Sequence, residues 1–305
     1  MKPDIICFGE PLLEFNQTPE DGKYLPGHGG DTSNCACAAA RQGAHVGCFT
    51  AVGEDPFGAS FLELWEKEGI DTSHVIINPT AHTGIYFVTH SEKGHEFSYF
   101  RAGSAASLIT PDDVPEEYVK SAKILHVSGI SQAISDSACD AVFHAINLAK
   151  KHGLSVSYDT NLRLKLWPLE RAAATIHTAM RKCDIALPGL EDAEQLTGLS
   201  NPDDIAEFYA GLGASVVALK MGRAGTLVIA DARKEVIPVT PLEAIDATAA
   251  GDTFDGAFLT RLNDGDDPFT AAVYANAAAA LSTQGYGAVA PMPTRKEVEA
   301  YLNRA

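Results

Sequence analysis

Residues 246–258 read "DATAAGDTFDGAF". Two aspartates, Asp246 and Asp252, flank a run of small residues, and an apolar helix begins at once. The unpaired N–H groups of a helix start carry partial positive charge and suit the oxygens of an anion. Ala249, Ala250 and Gly251 add no bulk that would block its approach, and Asp252 falls in the first turn, where it could take a proton from a hydroxyl. A base beside a charge-steadying cradle is what phosphoryl transfer needs. The stretch alone does not decide, because acidic residues favour first turns in most helices.

Three other groups occupy places where a strand ends or a helix starts: Gly29, Gly30 and Asn34; Asp159, Asn161 and Arg163; and Gly222 with Gly225. In an open parallel sheet, ligands bind beyond the carboxyl ends of the strands. The elements around these residues predict such a sheet. Buried strands and amphipathic helices alternate twice over residues 4–68. They resume with strand "KILHVSG", helix 136–152, strand "LSVSYDT", helix 169–181, strand "CDIALPG", helices 190–197 and 202–212, and strand "SVVALKMG". Helices are expected near 251–263, 268–283 and 294–303. The alternation breaks over 74–103, where period-2 segments around "SEKG" predict an antiparallel hairpin inserted into the alternating fold.

The chain has 305 residues and 46% hydrophobic content, enough for one large domain. Its 40 acidic and 23 basic residues leave a formal charge of -17, which repels nucleic acid and anionic membranes. An anionic small molecule would need locally clustered cations. The six cysteines lie scattered in apolar segments and "MKPDIICFGE" carries no secretory pattern, so a reduced, cytoplasmic, soluble protein is expected. No Cys or His pair accompanies Cys35 and Cys37 at a structural zinc spacing. A dinucleotide dehydrogenase is disfavoured, since no G-x-G-x-x-G follows the first strand.

The segments "GGDTSNCACAAARQG", "VGEDPFG", "VVALKMGRAGTLV" and "DATAAGDTFDG", in that order, resemble the signatures of the ribokinase (PfkB-type carbohydrate kinase) family, over residues 4–290. The resemblance implies a single α/β domain over 1–305. Its three-layer fold has a mostly parallel central sheet flanked by helices, with a small β-sheet lid from inserted strands around 11–27 and 74–103. "FRAGSAAS", "LHVSGIS" and "DTNLRLKLW" are most similar to 2-keto-3-deoxygluconate kinases. That likeness implies transfer of the γ-phosphate of ATP to the terminal primary hydroxyl of a sugar acid. Asp252 would be the base, and Ala249, Ala250 and Gly251 the anion hole.

By the same resemblance Gly30, Asn34, Tyr86, Tyr99, Arg101 and Arg163 hold the substrate, the two arginines as forks for its carboxylate. Lys220, Gly222, Gly225, Gly251 and Asn276 border the nucleotide, and Asp192 places Mg2+ through water. A monovalent cation such as K+ and a homo-oligomer through the lid also belong to the family's pattern. Two departures stand out. Ala249 replaces the usual first glycine of the anion-binding loop, a strained choice if its φ is positive, and Gly189 replaces the asparagine of an N-x-x-E element. Two alternatives stay open: a kinase of a neutral ketose such as fructose or of another sugar acid, and a non-catalytic sugar-binding protein on a kinase scaffold.

Overall fold

The computed structural model describes residues 2–18, 20, 22–91, 94–239 and 242–304. The first half of the chain forms β1 (Ile5–Phe8), β2 (Leu12–Gln17), β3 (Tyr24–Gly29), α1 (Asp31–Arg41), β4 (Val46–Gly53), α2 (Pro56–Lys67), β5 (Val75–Asn78), β6 (Gly84–Ser91) and β7 (Gly94–Phe100). Next come α3 (Glu116–Val119), β8 (Ile124–Ser128), α4 (Gly129–Ala133), α5 (Asp136–Lys151), β9 (Ser155–Asp159), α6 (Leu169–Met180), β10 (Ile185–Ala186), α7 (Leu190–Thr197) and α8 (Pro202–Gly211). The last elements are β11 (Val216–Lys220), β12 (Thr226–Ala230), β13 (Arg233–Ile237), α9 (Ala250–Asp264), α10 (Pro268–Ser282) and α11 (Arg295–Leu302).

A nine-stranded sheet runs β13-β12-β11-β10-β9-β8-β1-β4-β5 and is parallel except at its β12–β13 end. Its inner strands are buried on both faces, and the period-2 alternation divides the core. Ile5 and Cys7 of β1 point into a cluster with α1, α9 and α10, whereas Ile6 and Phe8 point into a cluster with α5, α6 and α8. The result is three layers. Helices α1 and α9 can approach closely because their facing residues are small. A Cβ on Gly256 would lie 2.5 Å from the Cys35 carbonyl and 2.7 Å from the Ala38 methyl. This close contact brings the N-termini of both helices to one place.

The second sheet has the order β3-β2-β6-β7, with β2 parallel to β6 and the other pairs antiparallel. Its second segment begins later than the expected 74–103: residues 75–78 do not join it, because β5 pairs parallel with β4 at the edge of the large sheet. The β6–β7 hairpin matches the expected one, and Glu92 and Lys93 of its turn lie outside the described residues. Asp55 ties the two sheets together. Its carboxylate caps α2 through the Gly58 N–H at 2.7 Å and accepts from the N–H and hydroxyl of Thr83 at 2.8 and 2.9 Å, just before β6. All six cysteines are unbridged. Among the described residues no helix is long and apolar enough to cross a membrane.

Candidate active site

The stretch at 246–258 folds as a pinned loop that delivers the start of α9. Asp246 does the pinning: its Oδ1 accepts from the N–H and hydroxyl of Thr248 at 2.9 and 2.7 Å, and its Oδ2 accepts from the Gly287 N–H at 2.9 Å. Ala249 is the residue before the helix and adopts φ 59°, ψ 15°, the left-handed region. This is the strained case, since an L-residue there brings Cβ against its own carbonyl. The Ala250 N–H donates back to the Ala247 carbonyl at 3.2 Å, so it is partly committed. Among the described residues nothing accepts from the N–H groups of Gly251 and Asp252. The N–H groups without an acceptor among the described residues are therefore those of Ala249, Gly251 and Asp252.

Asp252 faces a cluster assembled from four other elements. Asn34, in the first turns of α1, donates from Nδ2 to Asp252 Oδ2 at 2.8 Å, while Asn34 Oδ1 is buried with no protein partner. Asp31 begins α1, and its Oδ2 accepts from Asn161 Nδ2 at 3.0 Å. Asn161 holds φ 29°, a strained backbone that turns its amide towards α1. Burial, then the charges of Asp31 and Asp159, push the Asp252 carboxyl up to about 7, against the pull of Asn34 and Lys220. A carboxyl in that range can both lose and regain a proton at neutral pH.

Gly30 sits at φ 95° at the start of α1, with the Glu10 carbonyl 2.3 Å from where a Cβ would stand, so only glycine fits. Tyr86 lies on β6 opposite Tyr99 on β7, with stacked rings at 5.7 Å. The Tyr86 hydroxyl donates to the buried Glu14 carboxylate of β2. Tyr86 also feels the charge of Asp252, so the small sheet overhangs the α9 start. The Tyr99 ring has the Arg101 guanidinium at 5.8 Å and the Lys165 ammonium at 6.0 Å.

The two expected carboxylate forks differ. Arg101 is buried and already paired: its Nε donates to Glu10 Oε2 at 2.8 Å, and the Ser104 hydroxyl holds the other oxygen of Glu10. Arg163 is exposed and spends only Nη1 on the Leu162 carbonyl, at 2.8 Å.

The residues expected beside a nucleotide are mostly occupied in the fold. Asn276 is buried, accepting from the Thr226 hydroxyl at 2.8 Å and donating to the Ile237 carbonyl at 3.1 Å. Gly225, at φ 90°, packs against that same Ile237 carbonyl, and Gly222 opens the turn between β11 and β12. Lys220 is largely withdrawn from solvent, held between Asp255 and Asp159. Asp192, in the first turn of α7, accepts the Leu162 N–H at 2.8 Å, and burial followed by Asp159 raises its carboxyl above the ordinary range. Gly189 precedes α7 and bridges the end of β11 at Lys220.

The model of the pfkB family carbohydrate kinases matches residues 2–295. The chain belongs to the PfkB family of carbohydrate kinases. A 2-dehydro-3-deoxygluconokinase of Bacillus subtilis (strain 168) is 32% identical to it, over 99% of this chain and 96% of its own. Fructokinase-1 of Zea mays is 30% identical over 99% of this chain and 98% of its own. A crystal structure of a fructokinase from Vibrio cholerae O395, in fructose, ADP and calcium ion bound form, is 28% identical. It superposes with a TM-score of 0.89 over 98% of each chain. The fold is thus the ribokinase-like one of PfkB kinases, as the sequence resemblance implies.

Sequence reasoning passed over Asp31, Glu10, Glu14 and Asp255 in this PfkB site. Asp31 had a usable signal, an acidic residue directly after the two glycines and before Asn34. The other three carry none, because each is defined by a partner far away in the chain.

Proposed function

We propose that this kinase transfers the γ-phosphate of ATP to the terminal primary hydroxyl of 2-keto-3-deoxygluconate. The observation that carries the reading is a carboxyl poised near 7, in the turn that also offers the Gly251 and Asp252 N–H groups without acceptors. Asp252 takes the proton of the acceptor hydroxyl as its oxygen bonds to the γ-phosphorus. The bond from that phosphorus to the β–γ bridging oxygen breaks, and ADP departs with the electron pair. The Gly251 and Asp252 N–H groups steady the charge on the transferring group. Asn34 keeps the base oriented and offers its Oδ1 to a substrate hydroxyl.

Magnesium supplies charge neutralisation on the β- and γ-phosphate oxygens when bound. Among the described residues no group of three or more His, Cys, Asp or Glu could hold a metal ion unaided, which suits an ion carried in on the nucleotide. Asp192 would hold it through water.

The sugar acid is favoured by Arg101 and Lys165 gathering at the Tyr99 ring, with the exposed Arg163 two residues before Lys165 in the chain, in a protein of net charge -17. The small sheet would act as a lid that excludes water from the nucleotide. A neutral ketose is the second reading, and the pairing of Arg101 with Glu10 favours it, because the Glu10 carboxylate already offsets the charge of that guanidinium. ADP release from Mg-ATP with the keto acid, fructose, ribose and adenosine in parallel, with Asp252→Asn alongside, tests the proposal. Turnover of the keto acid alone, lost in the variant, is the expected result. Turnover of fructose alone would favour the second reading, and ligand binding without ADP would make the protein a non-catalytic binder.

A further inference from the structure

Lys220 ends β11, and its ammonium is largely withdrawn from solvent under the start of α9. It stands 2.8 and 3.0 Å from the two Asp255 oxygens, 3.2 Å from Asp159 Oδ2, and 3.7 Å from where a Cβ on Gly251 would lie. The two contacts to Asp255 are hydrogen bonds, and the one to Asp159 is an ion pair. Lys220 is thus engaged by both carboxylates, and it acts on Asp252 through its charge.

A lysine largely buried with two carboxylates is a costly arrangement, which apolar residues of the same volume would often improve. Its retention here has a local reason. The ionisable groups that face Asp252 are Asp31 of α1, Asp159 at the end of β9, Tyr86 of β6, Lys220 of β11 and Asp255 one turn along α9. Lys220 is the cation among them.

We propose that Lys220 is a positioning residue of the phosphoryl-transfer centre: clamped by Asp255 and Asp159 beside the Gly251 N–H, its charge lets the Asp252 carboxylate exist as a base. This rests on the reading of Asp252 as the base. Burial lowers the affinity of Lys220 for its proton, but Asp159 and Asp255 more than reverse that, so the ammonium keeps its charge throughout the working pH range. Asp255 has the opposite influence on Asp252, since each carboxylate makes ionisation of the other harder.

The two partners should therefore move Asp252 in opposite directions. Protein labelled with 13C at the aspartate carboxyls is titrated by NMR, and Asp252→Asn identifies the Asp252 signal. Its midpoint, near 7 in the parent, is expected to rise by about one pH unit in Lys220→Met and to fall by about as much in Asp255→Asn. Lys220→Arg keeps the parent value within about half a unit. The acid limb of kcat/KM follows the same order. Midpoints that stay put, or that move the same way in both variants, overturn the inference, because general damage to the fold has no reason to produce opposite shifts. Should Lys220→Met not fold, Asp255→Asn and Lys220→Arg decide alone. A parent that phosphorylates no acceptor removes the kinase reading, while the NMR midpoints still judge the charge coupling.

Discussion

Asn34 and Asp252 are joined side chain to side chain at 2.8 Å, which ties the first turns of α1 to the first turn of α9. The bond favours the ionised carboxylate. Asn34→Ala should raise the pH at which Asp252 becomes a base and reduce kcat at pH 7 on the order of tenfold, with much of the loss recovered near about pH 9. A pH–rate profile checks this. An equal loss at every pH would assign Asn34 to substrate contact alone.

Asp252 itself couples activity to stability. Its carboxyl is raised from 3.8 to about 7, so the unfolded chain ionises first as pH rises. Stability that is intact below 3.8 is lost progressively up to about 7. Asp252→Asn should abolish turnover by a factor of roughly 100 to 10,000. The same variant should be more resistant to urea than the parent at about pH 8, on the order of 2 kcal/mol, and no more resistant at about pH 4.

Ala249 at φ 59° stores backbone strain beside the reaction centre. Left-handed geometry costs an L-residue about 1–2 kcal/mol, and glycine returns about 0.5–1 kcal/mol of that through its freer unfolded state. Ala249→Gly should therefore stabilise the protein by about 0.5–1 kcal/mol. Thermal melting reads the gain, and turnover should not fall.

Arg101 and Arg163 separate by what already holds them. Glu10→Ala strands a buried guanidinium and should cost about 3–5 kcal/mol in urea unfolding. Glu116→Ala, which loses exposed partners Lys151 and His152, should leave the urea midpoint nearly unchanged. Arg163→Met should raise KM for the keto acid about tenfold or more and leave fructose unaffected. Equal effects on both substrates would argue against a carboxylate fork at Arg163.

The parallel sheet and its flanking helices were legible in the chain because strands such as "KILHVSG" are apolar on both faces and their helices have clear caps. The loop at 246–258 was legible because its function is local: small residues, a helix start and an acid in the first turn. Lys220 was not, since a lysine at a strand end looks solvated until Asp159 and Asp255 are brought to it by the fold. Arg101 looked free for the same reason, its partner Glu10 lying at the far end of an excursion. Strand β5 was misplaced because a short apolar run beside a hairpin gives no hint of which sheet will accept it.

The tight seam between α1 and α9 fixes when in the life of the chain the centre can exist. Helix α1 is made early, but the face bearing Cys35, Ala38 and Ala39 is covered only when Gly256 and its neighbours arrive, after every strand of the large sheet. A nascent chain emerging from the ribosome can lay down most of the large sheet before then, yet it lacks both Asp252 and the helix that fills that seam. Chemical competence is therefore acquired only after the large sheet is complete, in the same docking event that covers this flank of the core.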